Sequence, residues 1–139
     1  MISESAVLAL QRATHATLRR LTGELAGLDL SAAEINALAN LADGRSRIVS
    51  ELAAEVGARP STLTSILDRL ERRGHILRGL EPGGDRRVVR IQLTDSGRAA
   101  ADTIQARIAD LEKRALRGVP ADAVAGFHQV LRALTEEAP

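Results

Sequence analysis

The spacing of apolar residues predicts that the chain is largely helical. From Ser3 to about Gly27, valines and leucines recur at steps of three and four residues, the spacing of one face of an amphipathic helix. A second helix is expected after Ser31, because Ser31 and Glu34 have the capping-box spacing in which two side chains satisfy free amides at a helix start. This helix should run to about Ala42.

Two further helices are predicted in quick succession. The segment SELAAEV should form a compact helix that starts with Ser50 and Glu51 and ends at Gly57. Pro60 suits the first turn of the next helix, PSTLTSILDRLERR, because a proline lacks the amide that would be unpaired there, and Gly74 provides the stop. Two helices joined by a short turn are typical of a helix-turn-helix.

The remaining pattern predicts a hairpin and two more helices. DGRSRIV is interpreted as a turn followed by a very short extended piece, and the segments HILRGL and RRVVRIQL as an antiparallel hairpin around a glycine-rich turn. Thr94 is expected to cap a helix over residues 95 to about 116, and a last helix should follow Pro120 and end near Glu136. The predicted fold class is mainly α with a small β-hairpin, in the order of a winged helix-turn-helix.

Charge separates the middle of the chain from its ends. The 139 residues carry a net charge of only +1, yet residues 45 to 90 hold ten arginines against six acidic residues. The rest of the chain is mildly acidic. With no repeat or flexible linker, residues 1–139 are expected to form one domain whose positive charge is concentrated on the predicted helix-turn-helix and hairpin.

Several classes of protein are disfavoured by what the composition lacks. Without cysteine there is no disulfide, thiol nucleophile or cysteine-ligated zinc, and a cytoplasmic protein is the simple inference. No segment has the apolar run of a signal peptide or of a membrane span. His15, His75 and His128 are widely separated, so we expect no metal site and no cofactor. A chain that also lacks tyrosine, tryptophan and a phosphate-binding loop is not expected to be an enzyme.

The fourth predicted helix has two distinct faces. At 100° per residue its aliphatic residues cluster on one side. Those residues are Leu63, Ile66, Leu67 and Leu70, and across from them lie Ser61, Ser65, Asp68 and Arg72, with Thr64 and Arg69 at the flanks. Small hydroxyl side chains would let the first turns enter a major groove, while Arg69, Arg72 and Arg73 could reach the sugar-phosphate backbone. An ordinary solvated helix face is the alternative.

The hairpin turn PGGDRR carries the second candidate chemistry. Beside a groove-binding helix, a hairpin can carry an arginine into the neighbouring minor groove, whose negative potential attracts it. Asp85 could pair with Arg87 and limit its rotamers before binding. Alternatively, Asp85 makes only a local turn bond, and Arg86 and Arg87 are solvated.

Residues 61–99, STLTSILDRLERRGHILRGLEPGGDRRVVRIQLTDSGRA, resemble the MarR (multiple antibiotic resistance regulator) family. The LDRLE…RG run, the DRR turn and the LT-x-x-G-R helix start occur at the family's spacing. The resemblance implies a winged helix-turn-helix over residues 31–93 and dimerisation helices over 1–30 and 94–139. It also implies a homodimer that binds a pseudopalindromic operator in double-stranded DNA, as a repressor released by a small-molecule ligand.

The resemblance also implies roles for individual residues. Ser61, Thr62, Thr64 and Ser65 match DNA contacts of the recognition helix. Asp68 matches an acid that braces the wing arginine, Asp85 and Arg87 match the wing-tip pair, and Arg86 occupies the variable place between them. One departure is Arg59, which stands where an N-capping Ser or Asp is common and so weakens the helix cap, and which could face phosphate instead.

Two alternatives stay open at the level of sequence. A winged-helix module that uses the same surface to bind protein, without direct DNA readout, is the competing function. The apolar stripes of the last two helices favour a dimer but also fit core packing within one subunit. Since Phe127 is the only aromatic residue, any effector should be held mainly by aliphatic contacts.

Overall fold

The computed structural model of the protein describes residues 4–80 and 88–137. The elements in these residues are α1 (Ala6–Glu24), a 3-10 helix (Ala26–Leu28), α2 (Ala32–Leu41), α3 (Val49–Val56), α4 (Pro60–Arg72), β1 (Ile76–Leu80), β2 (Val89–Leu93), α5 (Asp95–Ala115) and α6 (Ala121–Glu137). The chain forms two compact units, Met1–Ala109 and Asp110–Pro139. The predicted fold class, mainly α with one hairpin, is confirmed. Within the described ranges, no helix combines the length and the apolar character that crossing a bilayer requires.

One hydrophobic core holds the first unit together. Its fully buried large side chains come from α2, α3, α4, both strands and α5. They are Ile35, Leu38, Leu41, Leu52, Leu63, Leu67, Leu70, Ile76, Ile91 and Ile104. Burying an aliphatic side chain of this size contributes about 1.5–3 kcal/mol, so this cluster stabilises the helix-turn-helix and the hairpin as one body.

The first helix is shorter than its sequence pattern predicts. It begins after Ser5, whose hydroxyl accepts a hydrogen bond from the Leu8 amide at 3.3 Å, and it ends at Glu24 instead of near Gly27. The chain then tightens into a 3-10 helix. Because a 3-10 helix aligns residues three apart, Leu25 and Leu28 both pack against the core. Tertiary packing therefore overrides the glycine stop.

The second helix starts as predicted, but the third does not. Ser31 and Glu34 form the expected capping box, with hydrogen bonds of 3.2 and 3.0 Å. Helix α3 begins at Val49, so Ser50 is not its cap. The carboxylate of Glu51 accepts from the Ile48 amide at 3.0 Å and so supplies the missing partner at the helix start.

Strands β1 and β2 form the hairpin that we call the wing. They pair in a regular antiparallel register, from Ile76 opposite Leu93 to Leu80 opposite Val89. A third short piece joins them, since Arg47 exchanges two backbone hydrogen bonds with Ile91 at 3.2 and 2.7 Å. This is the short extended piece predicted after the second helix. The turn between α2 and α3 is therefore tied directly to the wing.

The start of α5 is locked against the end of α4. The Thr94 hydroxyl accepts from the Gly97 amide at 3.0 Å, which confirms the predicted cap, and it donates to the Gly74 carbonyl at 2.5 Å. A Cβ on Gly97 would lie 1.8 Å from the His75 carbonyl oxygen, so only glycine fits there. The sequence element LT-x-x-G-R is thus a packing requirement at this junction.

Candidate nucleic-acid interface

The turn before α4 fixes where the candidate recognition helix begins. Helix α3 ends at Gly57, whose φ of 70° lies in the left-handed region that glycine tolerates. The Ala58 amide then closes the helix end by donating to the Ala53 carbonyl at 3.0 Å. Pro60 occupies the first turn of α4, as predicted. Both ends of the turn are therefore constrained by backbone geometry.

The two predicted faces of α4 are confirmed. The aliphatic face packs into the core, with Leu63, Leu67 and Leu70 fully buried and Ile66 nearly so. The opposite face lies in solvent. Its exposed residues are Ser61, Thr62, Thr64, Ser65, Asp68, Arg69 and Arg72. We call these seven residues the reading face.

Most hydroxyls on the reading face have no partner elsewhere in the described part of the chain. The exception is Thr64, whose hydroxyl donates to the Pro60 carbonyl at 2.9 Å. Among residues 4–80 and 88–137, no side-chain hydrogen bond involves Ser61, Thr62 or Ser65. These three groups are available to donate to, or accept from, a bound molecule.

The N-terminus of α4 lacks a side-chain cap. Arg59 occupies the N-cap position in extended conformation and makes no capping hydrogen bond. The first amides of the helix therefore face solvent together with the positive end of the helix dipole. The predicted weakening of the cap is confirmed, and Arg59 itself is exposed.

Arg78 braces the wing against α4, and sequence reasoning missed it. Its guanidinium donates to Asp68 at 2.6 Å and to Glu71 at 2.5 Å. Burial lowers the pKa of Arg78, but the hydrogen bonds that it donates to Asp68 and Glu71 together hold this pKa above its ordinary value. Strand alternation carried a signal, because Arg78 is two residues from the buried Ile76 and so shares the face that packs on α4.

Asp68 is thus paired with an arginine of a wing strand. The wing-tip residues Asp85, Arg86 and Arg87 lie outside the described residues, so their expected roles stay predictions. The strands on either side of this segment pair through Leu80 and Val89. An open recess of about 370 Å³ lies between α4 and β1, lined by Asp68, Glu71, Arg72 and Arg78.

A buried arginine at the α2–α3 turn was also missed. The Arg47 side chain is only 6% exposed, and it donates to both Asp43 oxygens at 2.8 and 2.6 Å and to Glu55 at 2.6 Å. Hydrogen bonds from Arg47 hold the pKa of Asp43 well below its usual range, and the same bonds raise the pKa of Arg47. From sequence, an arginine in a polar turn is expected to be exposed to solvent, so no local pattern predicts this burial.

Arg73 makes contacts that the sequence did not predict. It was expected to reach the sugar-phosphate backbone together with Arg69 and Arg72. Instead its guanidinium donates to the carbonyls of Asp29 and Leu28, the latter at 3.2 Å. Arg69 and Arg72 stay exposed, without an ion pair in the described ranges. The arginines at the end of α4 therefore divide into two groups.

The cavities that lie away from α4 in the described part of the chain include two with leucines in their lining. One, of about 200 Å³, lies between the end of α1 and α5. It is lined by Glu24, Leu25, Gly27, Leu28, Thr103 and Arg107. The other, of about 150 Å³, lies in the second unit and is lined by Glu112, Leu116, Val119, Ala123, Val124, Phe127 and His128. Within residues 4–80 and 88–137, no cluster of three or more His, Cys, Asp or Glu side chains could hold a metal ion.

The chain is similar to known proteins both in sequence and in fold. Residues 30–89 match the model of the MarR family. A MarR-family transcriptional regulator from Silicibacter pomeroyi is 25% identical, with 96% of this chain and 90% of that chain covered and a TM-score of 0.83. The reduced form of MarR from E. coli is 25% identical, with 96% and 98% covered and a TM-score of 0.76.

A third similar structure is that of CouR from Rhodococcus jostii, bound to p-coumaroyl-CoA. It is 23% identical, with 98% of this chain and 95% of that chain covered and a TM-score of 0.81. No curated protein sequence matches this chain. The fold of MarR-family transcriptional regulators therefore extends over nearly the whole chain.

Proposed function

We propose that the chain is a MarR-family transcriptional regulator, and that it is a homodimer that binds double-stranded DNA through α4 and the wing. The observation that carries the proposal is the reading face of α4. Its hydroxyls are exposed and largely unpartnered within the described residues, whereas the opposite face of the same helix is buried in the core.

The order of side chains along α4 suits a helix that enters a major groove by its N-terminal end. Ser61, Thr62 and Ser65 are small, so the backbone can approach base edges closely, and their hydroxyls can donate or accept. The methyl group of the exposed Thr64 could contact a thymine methyl. Arg69 and Arg72 follow at the C-terminal end, where long side chains reach phosphates.

The start of α4 offers a second contact with the DNA backbone. Arg59 is exposed beside amides that no side chain caps. A phosphate at this position would accept from those amides and from the guanidinium at once. The weak cap is then part of the binding site.

The wing supplies the proposed minor-groove contact. The ion pairs of Arg78 with Asp68 and Glu71 hold β1 at a fixed position beside α4. A wing held in this way would present Arg87 to the minor groove next to the major groove that α4 occupies, with Asp85 restricting its rotamers. Arg86 would contribute charge at the same edge.

A second copy of the chain is proposed to cover the terminal helices. Helices α1 and α6 contain no buried residue, and large apolar side chains on both are exposed. They include Val7, Leu8, Phe127 and Val130. An isologous two-fold interface would bury these faces and place two copies of α4 about 34 Å apart, one turn of DNA. The operator would then be a pseudopalindrome.

We further propose that a small ligand releases the DNA and that the protein represses transcription. The cavity between the end of α1 and α5 is the candidate site, because it adjoins both a terminal helix and the core of the helix-turn-helix. Leu25 and Leu28 give it an apolar part, and Glu24, Thr103 and Arg107 give it a polar part. Such a lining would favour a small ligand with both apolar and polar parts.

A salt titration of DNA binding tests the proposed function. Genomic fragments selected by the wild-type dimer are bound at increasing salt, and Arg72→Gln and Arg87→Ala are compared with Arg117→Gln, an exposed change outside the proposed interface. Arg72→Gln should lower the slope of log K against log salt by about 0.9, the loss of one phosphate contact. Arg87→Ala should weaken binding about tenfold or more.

Two results would contradict the proposal. If no genomic fragment is selected over bulk DNA, the reading face serves another partner, and a winged-helix module that binds protein becomes the better explanation. If Arg72→Gln, Arg87→Ala and Arg117→Gln all bind like the wild type at every salt concentration, the assignment of α4 and the wing is wrong.

A further inference from the structure

Arg73 connects the end of α4 to a turn that lies far away in sequence. It is the C-cap of α4, and its backbone amide completes that helix by bonding the Arg69 carbonyl at 3.1 Å. Its two terminal guanidinium nitrogens donate to the carbonyls of Asp29 and Leu28, 44 and 45 residues away. One side chain therefore touches both the candidate recognition helix and the segment between α1 and α2.

The two carbonyls that Arg73 binds belong to a strained reversal of the chain. Leu28 ends the 3-10 helix, and Asp29 has a φ of 53°, the only positive φ at a non-glycine residue among the described residues. Carbonyls at the end of a helix have no partner inside it. The planar fork of an arginine can satisfy two of them together, which an ammonium group on one flexible stem cannot do as well.

The same turn also lies beside α1 and the cavity at α5. Leu25 and Leu30, on either side of it, are buried in the core. Leu25 and Leu28 also line the cavity, opposite Thr103 and Arg107. A shift of this turn would therefore move the carbonyls that hold Arg73, and a shift of the end of α4 would move the wall of the cavity.

From this geometry we infer that Arg73 is a positioning residue for DNA binding: it fixes the end of the recognition helix to the turn between α1 and α2. The inference rests on the proposed function, because it concerns how α4 is held for that task. It also gives a route by which a change at the cavity or in α1 reaches α4, through the two hydrogen bonds that the Arg73 side chain donates to backbone carbonyls.

The competing role for Arg73 is a phosphate contact, as its neighbours Arg69 and Arg72 are proposed to make. Both terminal nitrogens of Arg73 are already directed at carbonyl oxygens, so contact with a phosphate would require these bonds to be replaced. The two roles differ in a measurable way. A phosphate contact contributes to the salt dependence of binding, whereas a residue that positions α4 changes the affinity at every salt concentration alike.

The test compares Arg73→Gln, Arg73→Lys and Arg72→Gln in the dimer, on one operator fragment selected by the wild type. Arg73→Gln should weaken binding about 3- to 30-fold with an unchanged salt slope. Arg73→Lys, which keeps the charge but cannot bridge both carbonyls, should restore little of that loss. Arg72→Gln should show the opposite pattern, a slope reduced by about 0.9.

A second readout does not depend on DNA. The amides of Leu28 and Asp29 are protected by hydrogen bonds to Leu25 and Ala26 of 3.0 and 3.1 Å. Their hydrogen exchange should accelerate about tenfold or more in Arg73→Gln, because the turn loses its outside support, and should not change in Arg72→Gln.

Each outcome decides between the roles. Arg73→Gln with wild-type affinity, Arg73→Gln with a slope reduced by about 0.9, or full rescue by Arg73→Lys would overturn the inference. Unchanged exchange at Leu28 and Asp29 would also overturn it, whatever the DNA result. If the wild type selects no DNA, the proposed function fails, and a positioning role in DNA binding fails with it, while faster exchange would still show the link between α4 and the turn.

Discussion

The helix-turn-helix and the terminal helices bury their apolar residues to very different extents. The aliphatic side chains of α4 are at most 5% exposed, whereas Phe127 and Val130 of α6 are 51% and 47% exposed. The core buries the apolar face of α4, and the opposite face of that helix is polar and charged. The exposed apolar side chains of α1 and α6 form the kind of surface that a partner commonly covers.

This contrast separates what the two regions depend on. The orientation of α4 and the wing is fixed within one chain, by the core and by the ion pairs of Arg47 and Arg78. In the proposed dimer, the packing of α1 and α6 depends on a second chain and therefore on protein concentration. Substitutions in the helix-turn-helix should therefore change the stability of the single chain or its DNA binding, whereas substitutions in α1 and α6 should change dimerisation.

The largest effect is expected at the face of α6. Phe127→Asp places a charge at the centre of the proposed interface, and two-fold symmetry places it there twice, so dimerisation should weaken by about 4 kcal/mol or more. Sedimentation equilibrium of the purified protein measures the change. Gln129→Asp adds the same charge to the opposite side of α6 and should leave the dimer intact. A Phe127→Asp dimer as tight as the wild type would refute this interface.

The next effect belongs to the buried ion pairs of the helix-turn-helix. Arg47→Met should lower the free energy of unfolding by about 2–3 kcal/mol, because two carboxylates lose a partner that is itself buried. Urea unfolding at one fixed protein concentration measures it.

Arg45→Met is the matched control for Arg47→Met. Arg45 also pairs with Asp43, at 3.2 Å, but its side chain is 78% exposed. Its loss should therefore cost less than about 0.5 kcal/mol. Equal destabilisation by the two variants would mean that burial of Arg47 is not what gives the pair its strength.

A smaller effect, with opposite signs on stability and binding, is expected at Arg59. Arg59→Ser gives α4 an N-cap and should raise the free energy of unfolding by about 0.5–1 kcal/mol. The same change removes a proposed phosphate contact and should reduce the salt slope of DNA binding by about 0.9. Arg59→Ala should lose the contact without gaining the cap. DNA binding by Arg59→Ser with the wild-type slope would exclude Arg59 from the interface.

The smallest effect concerns the pH dependence of Asp43. Because its folded pKa is depressed, Asp43 contributes stability above the ordinary carboxyl pKa, and that contribution is lost as the pH falls toward the depressed value. Asp43→Asn should therefore be less stable than the wild type near neutral pH and approach it in acid. Urea midpoints of both proteins at about pH 7 and about pH 3 test this. A constant difference would show that the charge of Asp43 is not involved.

The sequence predicted those features that depend on local spacing. The two faces of α4 follow from helical periodicity, since residues three or four positions apart lie on the same face of a helix. The Ser31–Glu34 capping box, the Thr94 cap and the pairing of the wing strands are likewise set by residues close in sequence or by strand alternation.

Residues whose partners are distant in sequence could not be predicted in this way. The sequence groups Arg73 with Arg69 and Arg72 as a long side chain within reach of phosphate, but the turn that it contacts comes from residues 28 and 29. Arg47 is buried by contacts with two other elements, and no local pattern marks it. The early end of α1 at Glu24 also depends on distant contacts, because Leu25 and Leu28 pack against the core.

The most direct test of the central claim is a hydroxyl-radical footprint of the wild-type dimer on a genomic fragment that it selects. A dimer that reads DNA with two copies of α4 should protect two symmetric half-sites whose centres lie about 34 Å apart, roughly one turn of the duplex. A single protected site without symmetry, or uniform weak protection along the fragment, would contradict the account.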